Sequence, residues 1–167
     1  MCSSDLSTAL EATQSPWGEA APLSISPALV RGADRLRRTL LPSLLEARAG
    51  NVAVGAPHGE LFEIARGYIA RPAGAKAESP VEEPLLVSLV TGGSFAAAKG
   101  LAEALLARFG ACGAFRPVDL DLFACGRAAE IVVDQPGRGA ERIGVVGEFA
   151  TRSLELAGLE GTRSEEH

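Results

Sequence analysis

The chain has 167 residues, 47% of them apolar, and a net charge of −5 at neutral pH. That is enough for one domain with a sizeable core. The acidic balance excludes the basic face that a nucleic-acid binder would need on this segment. No apolar run approaches the roughly 20 residues that span a bilayer, and no signal-like segment opens the chain. A soluble, cytoplasmic protein is therefore expected. The cations are 14 arginines and 2 lysines in an Ala- and Gly-rich chain, a bias that reads as a GC-rich genome rather than an Arg-specific phosphate site. Cys112 and Cys125 lack metal-ligand spacing and read as reduced thiols.

Both ends look foreign. Cys2-Ser-Ser-Asp-Leu6 and Arg163-Ser-Glu-Glu-His167 are what the genetic code gives for the two strands of a common sequencing adapter. Without them His58 is the only histidine. Residues 1–22 are thus read as foreign or unstructured, 23–162 as the folded core and 163–167 as an adapter-derived tail.

In chain order, Leu23-Ser-Ile-Ser26 reads as a short strand before Pro27. Asp34-Arg-Leu-Arg-Arg38 is a charged approach to a helix capped by Thr39, with Pro42 acceptable in the first turn. Leu41, Leu44 and Leu45 recur at helical spacing, Glu46 and Arg48 are placed outward, and Gly50-Asn51 is the stop. Glu60 to Ile69 is read as a strand, with Phe62, Ile64, Tyr68 and Ile69 as β-formers. Pro72 to Pro84 is an exposed loop. Leu85-Leu-Val-Ser-Leu-Val90 is a compact buried strand. Phe95 to Phe109 is the strongest helix, with Leu101, Leu105 and Phe109 repeating every four residues, Ala98 and Ala102 on neighbouring rows and Gly110 as the stop. Phe115 to Val118 is an edge strand, since Pro117 cannot donate to a ladder. Arg127 to Asp134 and Arg142 to Phe149 form a hairpin around a glycine-rich loop. Their β-branched runs predict burial on both faces, mid-sheet and under helices. Ser153 to Gly158 closes the chain as a short helix. The order suits an α+β domain with a mostly antiparallel sheet and flanking helices.

Spacing alone shows no reacting constellation. Thr91-Gly-Gly-Ser94 lies between a strand and a helix, where glycines can cradle a phosphate. It has neither a dinucleotide fingerprint nor a P-loop Gly-Lys-Ser/Thr, so a tight turn is favoured. Lys99 reads as a solvated helix charge. Glu63 and Glu130 are candidate paired carboxylates that nothing brings together, and solvent-facing strand positions are the simpler reading. His58 has no second ligand at metal spacing. Arg37 and Arg38 suit an anion grip, an outward pair or an interface pair equally.

Four blocks, in order, resemble the β subunit of phenylalanyl-tRNA synthetase. Leu36-Arg-Arg-Thr-Leu-Leu-Pro-Ser-Leu-Leu45 is similar to the family's Leu-Arg-x-Ser-Leu-Leu-Pro-Gly-Leu-Leu. Glu60-Leu-Phe-Glu-Ile-Ala-Arg66 is similar to its Leu-Phe-Glu-Ile-Gly strand. Gly93-Ser-Phe-Ala-Ala-Ala-Lys-Gly100 follows the frame of a Gly-x-Asp-Phe-x-x-Leu-Lys-Gly helix start. Gly126-Arg-Ala-Ala-Glu-Ile131 with Ile143-Gly-Val-Val-Gly-Glu148 resembles Pro-Gly-Arg-Ala-Ala-Glu-Ile and Ile-Gly-x-x-Gly-Glu. Departures from the family pattern are Ala124-Cys125 and Phe149-Ala150 in place of His-Pro, Ser94 for the acid and Ala98 for the leucine. They mark a diverged lineage.

The resemblance implies a class II synthetase-like core that is catalytically silent. It would pair with an α subunit that binds ATP and phenylalanine, in a heterotetramer that charges tRNA with ATP and magnesium. tRNA contacts would come from other parts of that complex, with no cofactor held here and no membrane association. Arg37, Pro42, Leu44, Leu45, Phe62, Glu63, Arg127 and Glu130 carry over as structural or interface residues, none catalytic. The alternatives are a stand-alone synthetase-like interaction module without ligase activity and a small nucleotide-using enzyme centred on Gly92-Gly93.

Overall fold

The computed structural model describes residues 22–26, 35–56, 59–71, 74, 79–135, 137 and 139–159. His58 and the adapter-like ends lie outside them. The order is α1 (Leu41–Ala53), β1 (Leu61–Arg66), β2 (Ile69–Ala70), β3 (Val81–Glu82), β4 (Leu85–Val90), α2 (Phe95–Arg108), β5 (Gly113–Pro117), β6 (Phe123–Gln135), β7 (Gly139–Phe149) and α3 (Thr151–Leu156). The class is α+β, and all the strand pairing is antiparallel. In place of the expected main sheet, the described strands form three: β1-β4, β2-β3 and β5-β6-β7.

Helix α1 starts at Leu41, with Leu40 at the boundary. Thr39 sits one residue too early to be the N-cap, but its hydroxyl still accepts from the Leu41 N–H at 3.4 Å. Pro42 takes the first turn, where no intrahelical N–H is missed. The helix runs through Gly50-Asn51 and ends at Ala53, followed by Gly55 at φ +82°. Leu44 and Leu45 are buried in a core with Val90, Leu122, Phe123, Ala128, Ala157 and Leu159. This core joins α1, β4, the start of β6 and the residues after α3.

The expected strand from Glu60 to Ile69 breaks at Gly67. A Cβ there would meet Leu86 Cδ1 at 2.6 Å and the Arg38 carbonyl at 3.2 Å, so only glycine lets the 35–38 segment approach. Beyond the break, β2 pairs with β3 inside the stretch expected to be loop. Around Leu23, the expected strand is reduced to a bridge between Ser24 and Arg35 and a 2.8 Å bond from the Leu36 N–H to the Leu23 carbonyl.

The hairpin expected at residues 127–149 is present and longer than its β-branched runs, since Phe123 already pairs with Phe149. Only β6 is central. β7 is an edge strand, and Ile143 is exposed. Burial on both faces therefore does not hold. Strand β5 lies at the other edge and ends at Pro117, as its missing donor requires.

α2 spans the expected residues, ending one residue before Phe109, and its leucine repeat is not the row that packs. Leu101, Leu105 and Phe109 are exposed, while Phe95, Ala98, Lys99, Ala102 and Leu106 are the half-buried positions. Lys99 lies 4.6 Å from the Phe115 ring centroid and pairs with Glu103 on its own helix.

Two substitutions test this packing. Leu45, with no exposed surface, is expected to cost about 2–5 kcal/mol as Leu45→Ala, read by urea unfolding. Gly147→Ala places a methyl 2.5 Å from the Phe123 ring. It is expected to cost about 1–3 kcal/mol, whereas Gly100→Ala, in open helix surface, should be neutral or stabilising.

Candidate functional site

The region that stands out is built on β1 and β4. Their register sets Phe62 opposite Leu89, Ile64 opposite Val87 and Arg66 opposite Leu85. Directly opposed residues in an antiparallel pair share a face, so these six form one side of the hairpin. Leu61, Glu63 and Ala65 with Val90, Ser88 and Leu86 form the other. Helix α1 packs on this second side. The outward side is the more apolar one. Phe62 is 70% exposed and Leu85 67%, and Ile64, Val87 and Leu89 are exposed as well. The expected buried strand at 85–90 is thus buried on one face only.

Glu63 explains the inversion. It lies on the inward face, where Arg37 Nη1 donates to its Oε1 at 2.7 Å. Arg37 Nε also donates to the Arg66 carbonyl at 3.2 Å, and the Arg37 carbonyl accepts from the Tyr68 N–H at 2.9 Å. Arg66 Nη1 in turn donates to the Glu83 carbonyl at 3.0 Å. Arg37 therefore clamps the segment before α1 to the end of β1. The pairing of Arg37 with Glu63 is carried by no spacing rule, since 26 residues separate them.

The remaining sequence candidates separate. Pro42, Leu44 and Leu45 are taken up by the first turns of α1 and the core. Arg127 is exposed on β6, and Glu130 is half-buried there, in register with Arg116 and Val145. Glu63 and Glu130 belong to different sheets and form no carboxylate pair. Arg38 is buried rather than outward. Arg48, expected to face solvent, is also buried, with Nη1 donating to the Gly59 carbonyl at 2.8 Å. A periodicity reading places an arginine outward by default, and the one signal against it is the adjacent glycine turn. A Cβ on Gly92 would meet Arg48 Nη2 at 2.7 Å.

That turn, Thr91 to Ser94, is braced by two side-chain hydroxyls. The Gly93 N–H donates to Thr91 Oγ1 at 3.0 Å and the Ala97 N–H to Ser94 Oγ at 3.4 Å, so Ser94 caps α2. Thr91 Oγ1 also donates to Glu60 at 3.3 Å, and that carboxylate opposes an incoming phosphate. Among the described residues no group of three or more His, Cys, Asp or Glu side chains converges as a metal site, and no helix is long and apolar enough to cross a membrane.

The clamp yields a measurable outcome. Arg37→Met removes both side-chain bonds, and its loss is expected to cost about 1–2 kcal/mol in thermal or urea unfolding. Glu63→Gln keeps the Nε bond to Arg66, so it should cost less, on the order of 0.5 kcal/mol for a partly exposed pair.

Comparison with known proteins agrees with the four sequence blocks. Residues 1–163 match the model for the phenylalanyl tRNA synthetase beta chain CLM domain. A phenylalanine--tRNA ligase beta subunit from Rhodopirellula baltica is 38% identical over 136 residues, covering 80% of this chain and 20% of that protein. One from Thermococcus sibiricus is 30% identical over 128 residues, covering 75% and 21%. The chain spans about a fifth of the length of these relatives. On the match across nearly its whole length, the chain belongs to the phenylalanyl-tRNA synthetase β-chain family.

Proposed function

We propose that this chain is a class II synthetase-like core of a phenylalanine–tRNA ligase β subunit. It is catalytically silent and serves as scaffold for an α subunit that attaches phenylalanine to its tRNA in the cytoplasm. The observation that carries this reading is the use to which the family-like blocks are put. The block at 36–45 ends in the buried Leu44 and Leu45, the block at 60–66 supplies Glu63 to the Arg37 clamp, and the block at 126–131 forms the middle of β6. Each is engaged in holding the fold.

In this reading ATP and magnesium are handled by the partner. It is supported by the glycine turn before α2, where the Gly93 N–H is engaged by Thr91 and the Glu60 carboxylate lies beside it.

The test is co-expression with the α subunit of the same organism, followed by size-exclusion chromatography and phenylalanine-dependent ATP–pyrophosphate exchange. Co-elution with α is expected, with no exchange by the 167-residue chain alone. Exchange activity in the isolated chain would contradict silence, and separate elution would contradict pairing.

A further inference from the structure

We propose that Arg48 is a latch that holds together the open end of the β1-β4 hairpin and the turn that starts α2, and that Gly92 is glycine in order to seat its guanidinium. Arg48, Gly59 and Gly92 all lie outside the four family-like blocks, so the latch is read from the geometry alone.

Arg48 belongs to α1 and is buried. Its Nη1 donates to the Gly59 carbonyl at 2.8 Å, just ahead of β1. Leu61 pairs with Val90, and continuing that antiparallel register outward by two residues sets Gly59 beside Gly92. The intervening row is Glu60 and Thr91, joined by the 3.3 Å bond from the Thr91 hydroxyl to the Glu60 carboxylate. The guanidinium therefore reaches both strands where they leave the ladder. Arg37 holds the other end of the hairpin through the Arg66 carbonyl. Two arginines, one before α1 and one within it, thus fasten the hairpin at both ends.

Gly92 is accounted for by this contact rather than by its backbone. Its φ is not in the left-handed region that favours glycine. The three atoms nearest to a Cβ built there all belong to Arg48: Nη2 at 2.7 Å, Cζ at 3.7 Å and Nη1 at 4.0 Å. A methyl at 92 would displace the guanidinium and draw Nη1 away from the Gly59 carbonyl. A hydrogen bond from a charged donor is among the stronger ones, so its loss loosens the strand ends it holds. Two residues beyond Gly92, Ser94 Oγ accepts from the Ala97 N–H and caps α2. The seat of Arg48 therefore also fixes where that helix begins.

The experiment is residue-resolved amide hydrogen exchange on the 167-residue chain and on Arg48→Met, Gly92→Ala and the double variant. Arg48→Met keeps an apolar stem and removes the donors. It is expected to speed exchange of residues 59–61 and 90–97 about tenfold, with the β5-β6-β7 sheet unchanged. Gly92→Ala, which leaves Arg48 in place, is expected to loosen the same residues. The double variant should exchange no faster than Arg48→Met alone, because both changes remove one contact. Unchanged protection of those residues in Arg48→Met would overturn the latch. A Gly92→Ala effect that multiplies with that of Arg48→Met would overturn Gly92 as its seat. If Arg48→Met fails to fold, the guanidinium nitrogen NMR spectrum decides. Separate Nη signals of Arg48, from hindered rotation in the unmodified chain, are expected to merge in Gly92→Ala, and identical spectra would overturn the proposal.

Discussion

The Arg37–Glu63 pair decides which way the β1-β4 hairpin faces. Side chains alternate strictly along a strand, so a slip of one residue would turn Phe62 and Ile64 inward and expel Glu63. On hydrophobicity alone the slipped register would be favoured, since it turns the more apolar face inward. With Arg37 held against the end of β1, it would leave the guanidinium facing apolar side chains and separate it from its carboxylate. A partly exposed pair contributes little stability by itself, about 0–1 kcal/mol. Its importance is positional: it ties the segment before α1 to the end of β1, on the side of the hairpin that carries Glu63.

Stability comes from elsewhere. Leu44 and Leu45 from α1 meet Val90 of β4 and, across the core, Leu122, Phe123 and Ala128. Each large side chain fully buried there is worth about 1.5–3 kcal/mol. The Phe123 and Phe149 rings, 5.5 Å apart, close one end of the β6-β7 hairpin over Gly147. Ser153 ties α3 to the same region through a 3.0 Å bond to the Leu122 carbonyl. The core is thus assembled from segments distant in sequence, and it leaves two apolar surfaces uncovered: the outward hairpin face and the Leu101, Leu105, Phe109 stripe of α2.

Much of this was legible in the sequence. Helix α2 was read nearly to its ends because the Thr91 to Ser94 turn precedes it and Gly110 stops it, and the β6-β7 hairpin because β-branched runs flank a glycine-rich loop. Burial was harder to read. The leucine repeat of α2 and the unbroken apolar run of β4 both signal interior, yet hydrophobic pattern alone does not say which of two apolar faces the fold covers. Arg48 failed in the opposite direction, since its burial depends on a carbonyl eleven residues away and a glycine turn from another strand. Of the proposed interface residues, Phe62 lies on the open face while Leu44 and Leu45 went to the core. Local spacing does not distinguish those outcomes. The family-like blocks identified the chain more securely than they identified its surface.

The central claim is that Arg37 orients the β1-β4 hairpin by holding Glu63 on its inward side, and amide hydrogen exchange on the unmodified chain and on Arg37→Met tests it most directly. Residues 61–66 and 85–90 are expected to exchange faster in the variant, with the β5-β6-β7 sheet unchanged. Exchange in both hairpin strands that is the same in the two chains would contradict it.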